Sequence, residues 1–232
     1  MTLEPAAPRP MSLPDNDGRE GNHAGAPLFR VTAGGAADPR GTALPMLSVI
    51  IATKDSERAL VPTLAALVSG ATAGIISEVL IADGGSRDDT AAVAEVAGCN
   101  FLVLDGTTAR RLKTSAAKAR AHWLLFLRPG TILDAPWTGD ARRFVELTTR
   151  PDSAAVFRRG APMQSGLRDA LSLLATALGA RPRPEQGLLI AKEFYAALGG
   201  HSETAADAET DLIRRIGRWR IVRLPSIAYS VP

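Results

Sequence analysis

LSVIIATKDSERALVPTLAALVSGATAGIISEVLIADGGSRDDT, residues 47–90, decides the fold. Its ends, LSVIIAT and SEVLIAD, are apolar β-branched runs that each stop in a polar turn, which is how strands read. Between them Leu60, Leu64, Leu67 and Val68 recur at helical spacing. The stretch is therefore a β-α-β unit. Both runs are apolar at successive positions instead of alternating, as strands are when helices cover both faces of a parallel sheet. Polar groups collect where the strands end, at Thr53, Lys54, Asp55 and Glu57 and at Asp83, Gly84, Gly85 and Ser86. In open α/β sheets the ligand crevice lies outside those carboxyl ends.

Working outward, Ser86 is placed to cap a helix with Asp88 and Asp89 in its first turn, where the helix dipole favours carboxylates. Gly98 and Asn100 turn the chain into FLVLD, a short strand. Residues 109–120 read as an Ala-rich basic helix carrying Arg110, Arg111, Lys113, Lys118 and Arg120, and WLLFL is a strand stopped by Arg128, Pro129 and Gly130. Strands and helices thus alternate through residues 47–127, which predicts an α/β fold, a doubly wound, mostly parallel sheet flanked by helices. The second half is less regular. It predicts a helix over 138–147, a strand over 154–157 and an amphipathic helix over 165–178 on Leu167, Leu171, Leu174 and Leu178. A strand over 188–191, helices over 192–198 and 208–216, and a strand in RIVRL complete it.

The chain has 232 residues, of which 46% are hydrophobic and only 5% aromatic, so one core built from Leu, Val, Ile and Ala is expected. Residues 1–45 combine Pro, Gly, Ala and charge without apolar periodicity and predict a disordered tail before a single domain over 46–232. Met46, directly before the first strand, suggests a second start codon, an expectation that mass spectrometry of the native N-terminus decides. A net charge of +3 with arginines and lysines scattered along the chain gives no nucleic-acid motif, though it permits peripheral contact with an anionic membrane. No run reaches the ~20 apolar residues of a membrane span, and the N-terminus lacks a secretory apolar core. A single cysteine, Cys99, excludes an internal disulfide and a multi-cysteine zinc site and fits a reducing, cytoplasmic setting.

The opening stretch resembles that of inverting family 2 glycosyltransferases with the GT-A fold, a Rossmann-like architecture whose usual form runs VSVIIPT-N-E and then EVIVVDGGSTDGT. Three later segments keep the family's order. AHWLLFLRPGTIL stands where GDWLLFLDADT is usual, EQGLLIAKEFYAALGGH resembles DQGLFVRRELFDALGGF, and AETDLIRRIGRWRIVRLP resembles EDVDLSRRLRRLGRVRLLP. The resemblance implies a transferase that moves a sugar from a nucleoside-diphosphate donor, the nucleotide sugar, to an acceptor hydroxyl on an unknown acceptor.

It also implies roles. Asp83 would meet the nucleotide base or ribose, with Thr53 and Glu57 lining the same pocket; alternatively Asp83 caps its own turn, and Thr53 and Glu57 are local turn or cap chemistry. Arg110 matches a family stretch written RARQLNAG and would face phosphate, or lie on a solvated basic face. Glu209, with Asp211, falls on the family's catalytic acids and would be the base, though both are equally first-turn helix acids. Glu185 and Gln186 stand on the acceptor side. His201, in place of an aromatic, is read as a packing residue.

One departure matters. The family's Asp-x-Asp holds Mg²⁺ or Mn²⁺ against the diphosphate, whereas this chain has Arg128-Pro129-Gly130. No cofactor is therefore expected, and Arg128 either replaces the cation by gripping phosphate or marks a chain that keeps the fold without turnover.

Overall fold

The computed structural model describes Phe29, residues 46–160 and residues 181–231. The tail expected over 1–45, apart from Phe29, and the helix expected over 165–178 lie outside the described residues. Phe29 itself is buried, and its amide donates to the Ala97 carbonyl at 3.2 Å.

The β-α-β reading holds: β1 (Leu47–Thr53), α1 (Glu57–Thr72) and β2 (Ile76–Asp83) are followed by α2 (Thr90–Ala97), β3 (Asn100–Val103), α3 (Thr108–Lys118) and β4 (Trp123–Leu127). Then come β5 (Thr131–Leu133), α4 (Trp137–Leu147), β6 (Ala154–Arg159), β7 (Leu188–Ala191), α5 (Lys192–Ala197), α6 (Ala208–Ile216) and β8 (Ile221–Ser230). The sheet order is β3-β2-β1-β4-β7-β6-β8-β5. β3, β2, β1 and β4 are mutually parallel, β7 runs antiparallel to both β4 and β6, β8 is parallel to β6, and β5 is antiparallel to β8. One continuous mixed sheet therefore carries the parallel half that the sequence predicts, extended by a half that mixes antiparallel pairs with the parallel β6–β8 pair.

Both faces are covered, which is why β1 and β2 read as unbroken apolar runs. Val49 and Ile51 point to a core shared with Leu60, Leu64, Leu67, Ala94, Trp137 and Phe144, from α1, α2 and α4. Ile50, between them, points to the opposite core with Leu112, Ala116, Phe194, Tyr195, Leu212 and Ile216, from α3, α5 and α6. Gly70 is required where α4 docks on α1: a Cβ there would lie 2.5 Å from Trp137 Cζ2. The Trp137 indole N–H donates to Ala66 O and Ser69 Oγ, so the large ring is buried without an orphaned donor.

At the amino ends of the parallel strands sits a buried carboxylate, Glu78, 2% exposed. It accepts from Ser48 Oγ of β1 at 2.7 Å, Asn100 Nδ2 of β3 at 3.1 Å, and both the backbone amide and Nε of Arg120, just before β4. Ser48 Oγ in turn accepts from the Ala121 amide. Four strand beginnings are latched through one side chain, with each oxygen satisfied as burial demands.

One expectation fails locally. Ser86 does not cap α2, which starts only at Thr90; Asp88 and Asp89 precede the helix. The Ser86 hydroxyl donates to Asp83 and accepts from the Asp55 amide, while Asp88 accepts from the amides of Glu57 and Thr90. The two loops are laced together. In place of a cap of its own, α1 has its first N–H groups satisfied by Thr90 Oγ1 and Asp88 from the neighbouring loop.

Candidate functional site

The carboxyl ends of β1 and β4 converge on a cleft of about 390 Å³, with Ser56, Thr108, Arg128 and Glu209 on its polar rim over Ala52, Leu112 and Leu127. Of the residues singled out from sequence only Arg128 and Glu209 line it; Thr53, Glu57 and Asp83 do not, and form a separate group at the ends of β1 and β2 that is built in the opposite way.

The first group ends β1 and β2. Thr53 Oγ1 donates to Asp83 Oδ1 at 2.8 Å, and the amides of Gly85 and Ser86 donate to Oδ2 at 2.8 and 2.7 Å. With the Ser86 hydroxyl as a further donor, Asp83 is enclosed, 1% exposed. Burial works to raise its pKa, but the bonds from Ser86, Thr53 and Gly85 outweigh it and hold the carboxyl below its ordinary value. Asp83 thus closes its own turn. Glu57 is half-buried at the start of α1, and its amide is taken by Asp88.

Beneath this turn lies a residue that the sequence reading passed over. Arg111, 6% exposed, sends Nη1 to the carbonyls of Thr53 and Ala82 and Nη2 to Thr108 Oγ1 at 3.1 Å. Its guanidinium lies against Gly84, where a Cβ would come within 2.6 Å of Nη1, so glycine is required for this close approach. Burial lowers the Arg111 pKa, and the nearby Asp83 charge opposes that fall. Arg110, the residue picked from sequence, is exposed. The signal was present: Ala109, Leu112 and Ala116 mark the buried stripe of α3, and Arg111 with Ser115 lies along it.

The second group surrounds the end of β4. Arg128 Nε donates to Glu209 Oε2 at 2.8 Å, with Nη2 at 2.7 Å from the same oxygen. Arg128 Nη1 donates to Glu185 Oε1 at 3.1 Å, and Asp207 Oδ1 lies 3.7 Å from Nη2. One guanidinium thus faces three carboxylates. Burial lowers the Arg128 pKa but the hydrogen bond and charge of Glu209, with Glu185 and Asp207, raise it further. Burial also raises the Glu209 pKa; Arg128 pulls it down, Asp207 and Glu185 push it up, and the net shift is upward. Burial is the largest cause at Glu209, with the Asp207 and Glu185 charges adding to it, whereas at Arg128 the three carboxylates outweigh burial. Glu185 Oε2 is buried without a partner.

Asp207 caps α6 by accepting from the amides of Glu209 and Thr210, and so fixes the turn that presents Glu209 to Arg128. Asp211 is engaged elsewhere, at 2.7 Å from both Arg214 and Arg215. Arg215 goes on to bind the carbonyls of Leu198 and Gly200. Gln186 is buried and bridges its own 3₁₀ turn to β6, accepting from Arg183 N and donating to Phe157 O at 2.6 Å. His201 is a packing residue, as expected: it is 1% exposed, its Nδ1 is 2.8 Å from the Tyr195 hydroxyl, and its ring meets Phe126 edge-on. Burial, then Arg215, push its pKa down to about 4.

A divalent ion at the end of β4 would need hard oxygen ligands, but the carboxylates nearest that point are directed at Arg128. Among the described residues no group of three or more His, Cys, Asp and Glu side chains is arranged to hold a metal ion, and no helix is long and apolar enough to cross a membrane.

No protein-family model matches the chain, and no curated protein does. Solved structures do. Glucosyl-3-phosphoglycerate synthase from Mycobacterium tuberculosis, in complex with phosphoglyceric acid, aligns at TM-score 0.60 and 17% identity over 81% of this chain and 72% of that one. The same enzyme with Mn²⁺, UDP and glucosyl-3-phosphoglycerate aligns at TM-score 0.59. The mannosyltransferase from Pyrobaculum calidifontis, in complex with GDP-Man and Mn²⁺, aligns at TM-score 0.63 and 16% identity, over 82% of this chain and 58% of that one. The fold is therefore that of the GT-A glycosyltransferases, an α/β sheet flanked by helices.

Proposed function

We propose that the chain is a glycosyltransferase that moves a sugar from a nucleoside-diphosphate donor to an acceptor hydroxyl without a divalent cation, Arg128 taking the cation's place. The observation that carries this reading is the Arg128–Glu209 pair at the mouth of the cleft, 2.7 Å apart at the end of β4. In the reaction, the acceptor oxygen attacks the anomeric carbon. The bond from that carbon to the diphosphate oxygen breaks, its electron pair leaving with the diphosphate. The incoming diphosphate competes for the guanidinium, which binds phosphate oxygens bidentately. Glu209, released from Arg128, accepts the acceptor's hydroxyl proton. Ser56 and Thr108, on the rim, are the hydroxyls positioned to meet the donor.

A second reading has its own support: three carboxylates already satisfy Arg128, and Thr53 with Asp83 satisfy each other. A chain so closed would bind a nucleotide or a partner protein without transfer. Thermal-shift titration with UDP, GDP and nucleotide sugars, with and without Mn²⁺, separates the two. The transferase reading expects stabilisation without metal, and donor hydrolysis or transfer that disappears in both Arg128→Ala and Glu209→Ala. Binding without turnover supports the second reading; turnover unchanged in both variants removes the roles given to Arg128 and Glu209.

A further inference from the structure

We infer that the edge formed by the carboxyl end of α4 and the beginning of β8 is a docking surface for an anionic lipid membrane. Large apolar side chains here are turned outward. Trp219 is 82% exposed, Leu147 71% and Val222 47%. Single exposed hydrophobics need no explanation, but a cluster does. These three lie on one edge. Leu147 and Val222 line the same groove of about 400 Å³, together with Arg143, Arg150 and Arg223. Arg150 and Arg220 both bridge to Asp152, at 3.5 and 3.2 Å, which ties the turn carrying Trp219 to the rim of that groove.

The charge around the cluster has one dominant sign. Arg143, Arg150, Arg218, Arg220 and Arg223 stand on this edge against Asp140, Glu146 and Asp152. The Arg218 guanidinium lies 4.4 Å from the Trp219 ring centroid, so cation and indole form one amphipathic plate. Tryptophan bordered by arginine is the pairing that settles at a headgroup interface, where the ring enters the acyl boundary and the cation stays with phosphate. A nucleic acid would use the arginines and stack on Trp219, but it would gain nothing from Leu147 and Val222, which offer no flat face. A lipid surface uses both.

The position leaves the cleft unobstructed. Ile221 of β8 pairs with Ala154 at the start of β6, and β6 and β8 run in the same direction as β4, so this edge lies on the amino-end side of the sheet, opposite the carboxyl ends of β1 and β4 that line the cleft. The inference therefore stands or falls apart from any assignment of sugar transfer.

Co-sedimentation of the full chain with vesicles tests it, phosphatidylglycerol-containing against pure phosphatidylcholine. The expected result is binding to the anionic vesicles only, weakened by salt, with a blue shift in tryptophan emission that is absent in Trp219→Phe. Trp137 is fully buried and Trp123 partly so, which makes Trp219 the indole able to report entry. Arg218→Glu and Arg220→Glu should each weaken partitioning at least about fivefold; Leu147→Ser should weaken it while leaving the melting temperature unchanged. Equal binding to both vesicle types, no binding, or insensitivity to Trp219 and Arg218 substitution overturns the proposal. So does RNA binding with the same residue dependence and vesicle binding absent, or a self-association that Trp219→Ser dissolves.

Discussion

The two strand-end clusters are near mirror images in charge and opposites in balance. At the end of β2 one carboxylate, Asp83, is surrounded by hydroxyls and amides that cancel its need for water, with Arg111 close behind. At the end of β4 one guanidinium faces three carboxylates; each cluster keeps a buried atom without a partner, Arg111 Nε in the first and Glu185 Oε2 in the second. A carboxylate with both oxygens taken by neighbouring donors, as Asp83 is, stabilises the fold. A cluster left with surplus negative charge is poised to change partners, and the difference locates stability at β1–β2 and, under the proposed function, chemistry at β4.

That contrast predicts a ranking of effects. Asp83→Ala leaves Thr53, Gly85 and Ser86 without an acceptor in a buried turn and should cost about 3–5 kcal/mol; equal urea midpoints for variant and parent would erase the contrast. Arg111→Met should follow at about 2–3 kcal/mol through the lost charged bonds to Thr53 and Ala82, whereas Arg110→Ala, on the exposed side of the same helix, should stay within about 0.5 kcal/mol.

A pH titration sharpens the comparison at a site outside both clusters. The folded His201 pKa of about 4 lies below its ordinary 6.5, so the unfolded chain binds the extra proton first. Its contribution is complete above about pH 6.5 and is lost as pH falls toward 4, by about 3 kcal/mol in all. His201→Phe should flatten that part of the stability profile.

Arg128→Met is expected to cost less than Asp83→Ala, about 1 kcal/mol, because the pair is partly solvated. Its signature lies elsewhere: adding Glu209→Gln should recover part of the loss by removing surplus charge, a coupling that a double-mutant cycle reads directly. Arg128→Met costing as much as Asp83→Ala would make both clusters structural.

Much of the parallel half was legible because its signal is local. Successive apolar residues bounded by polar turns give β1, β2 and β4, and the leucine spacing gives α1. β5 and the full length of β8 were not, since Thr131–Leu133 is only three residues long and Pro225 sits within β8. Pro225 is tolerated there because β6 pairing shifts register between Val156 and Arg158. At the site, Thr53, Asp83, Arg128, Glu185 and Glu209 were visible as polar residues at strand or helix ends. That Asp83 turns inward to Thr53 and Arg128 toward Glu185 depends on side chains 30 and 57 residues apart, which no local pattern encodes.

The Glu78 latch binds the starts of four strands at the end of the sheet farthest from the cleft. Cohesion anchored there does not depend on what the opposite loops carry. Such a framework lets the residues of its opposite rim vary while the chassis keeps its shape. An engineer seeking new donors or acceptors has the same freedom, with Ser48, Glu78 and Arg120 as the bolts to leave in place.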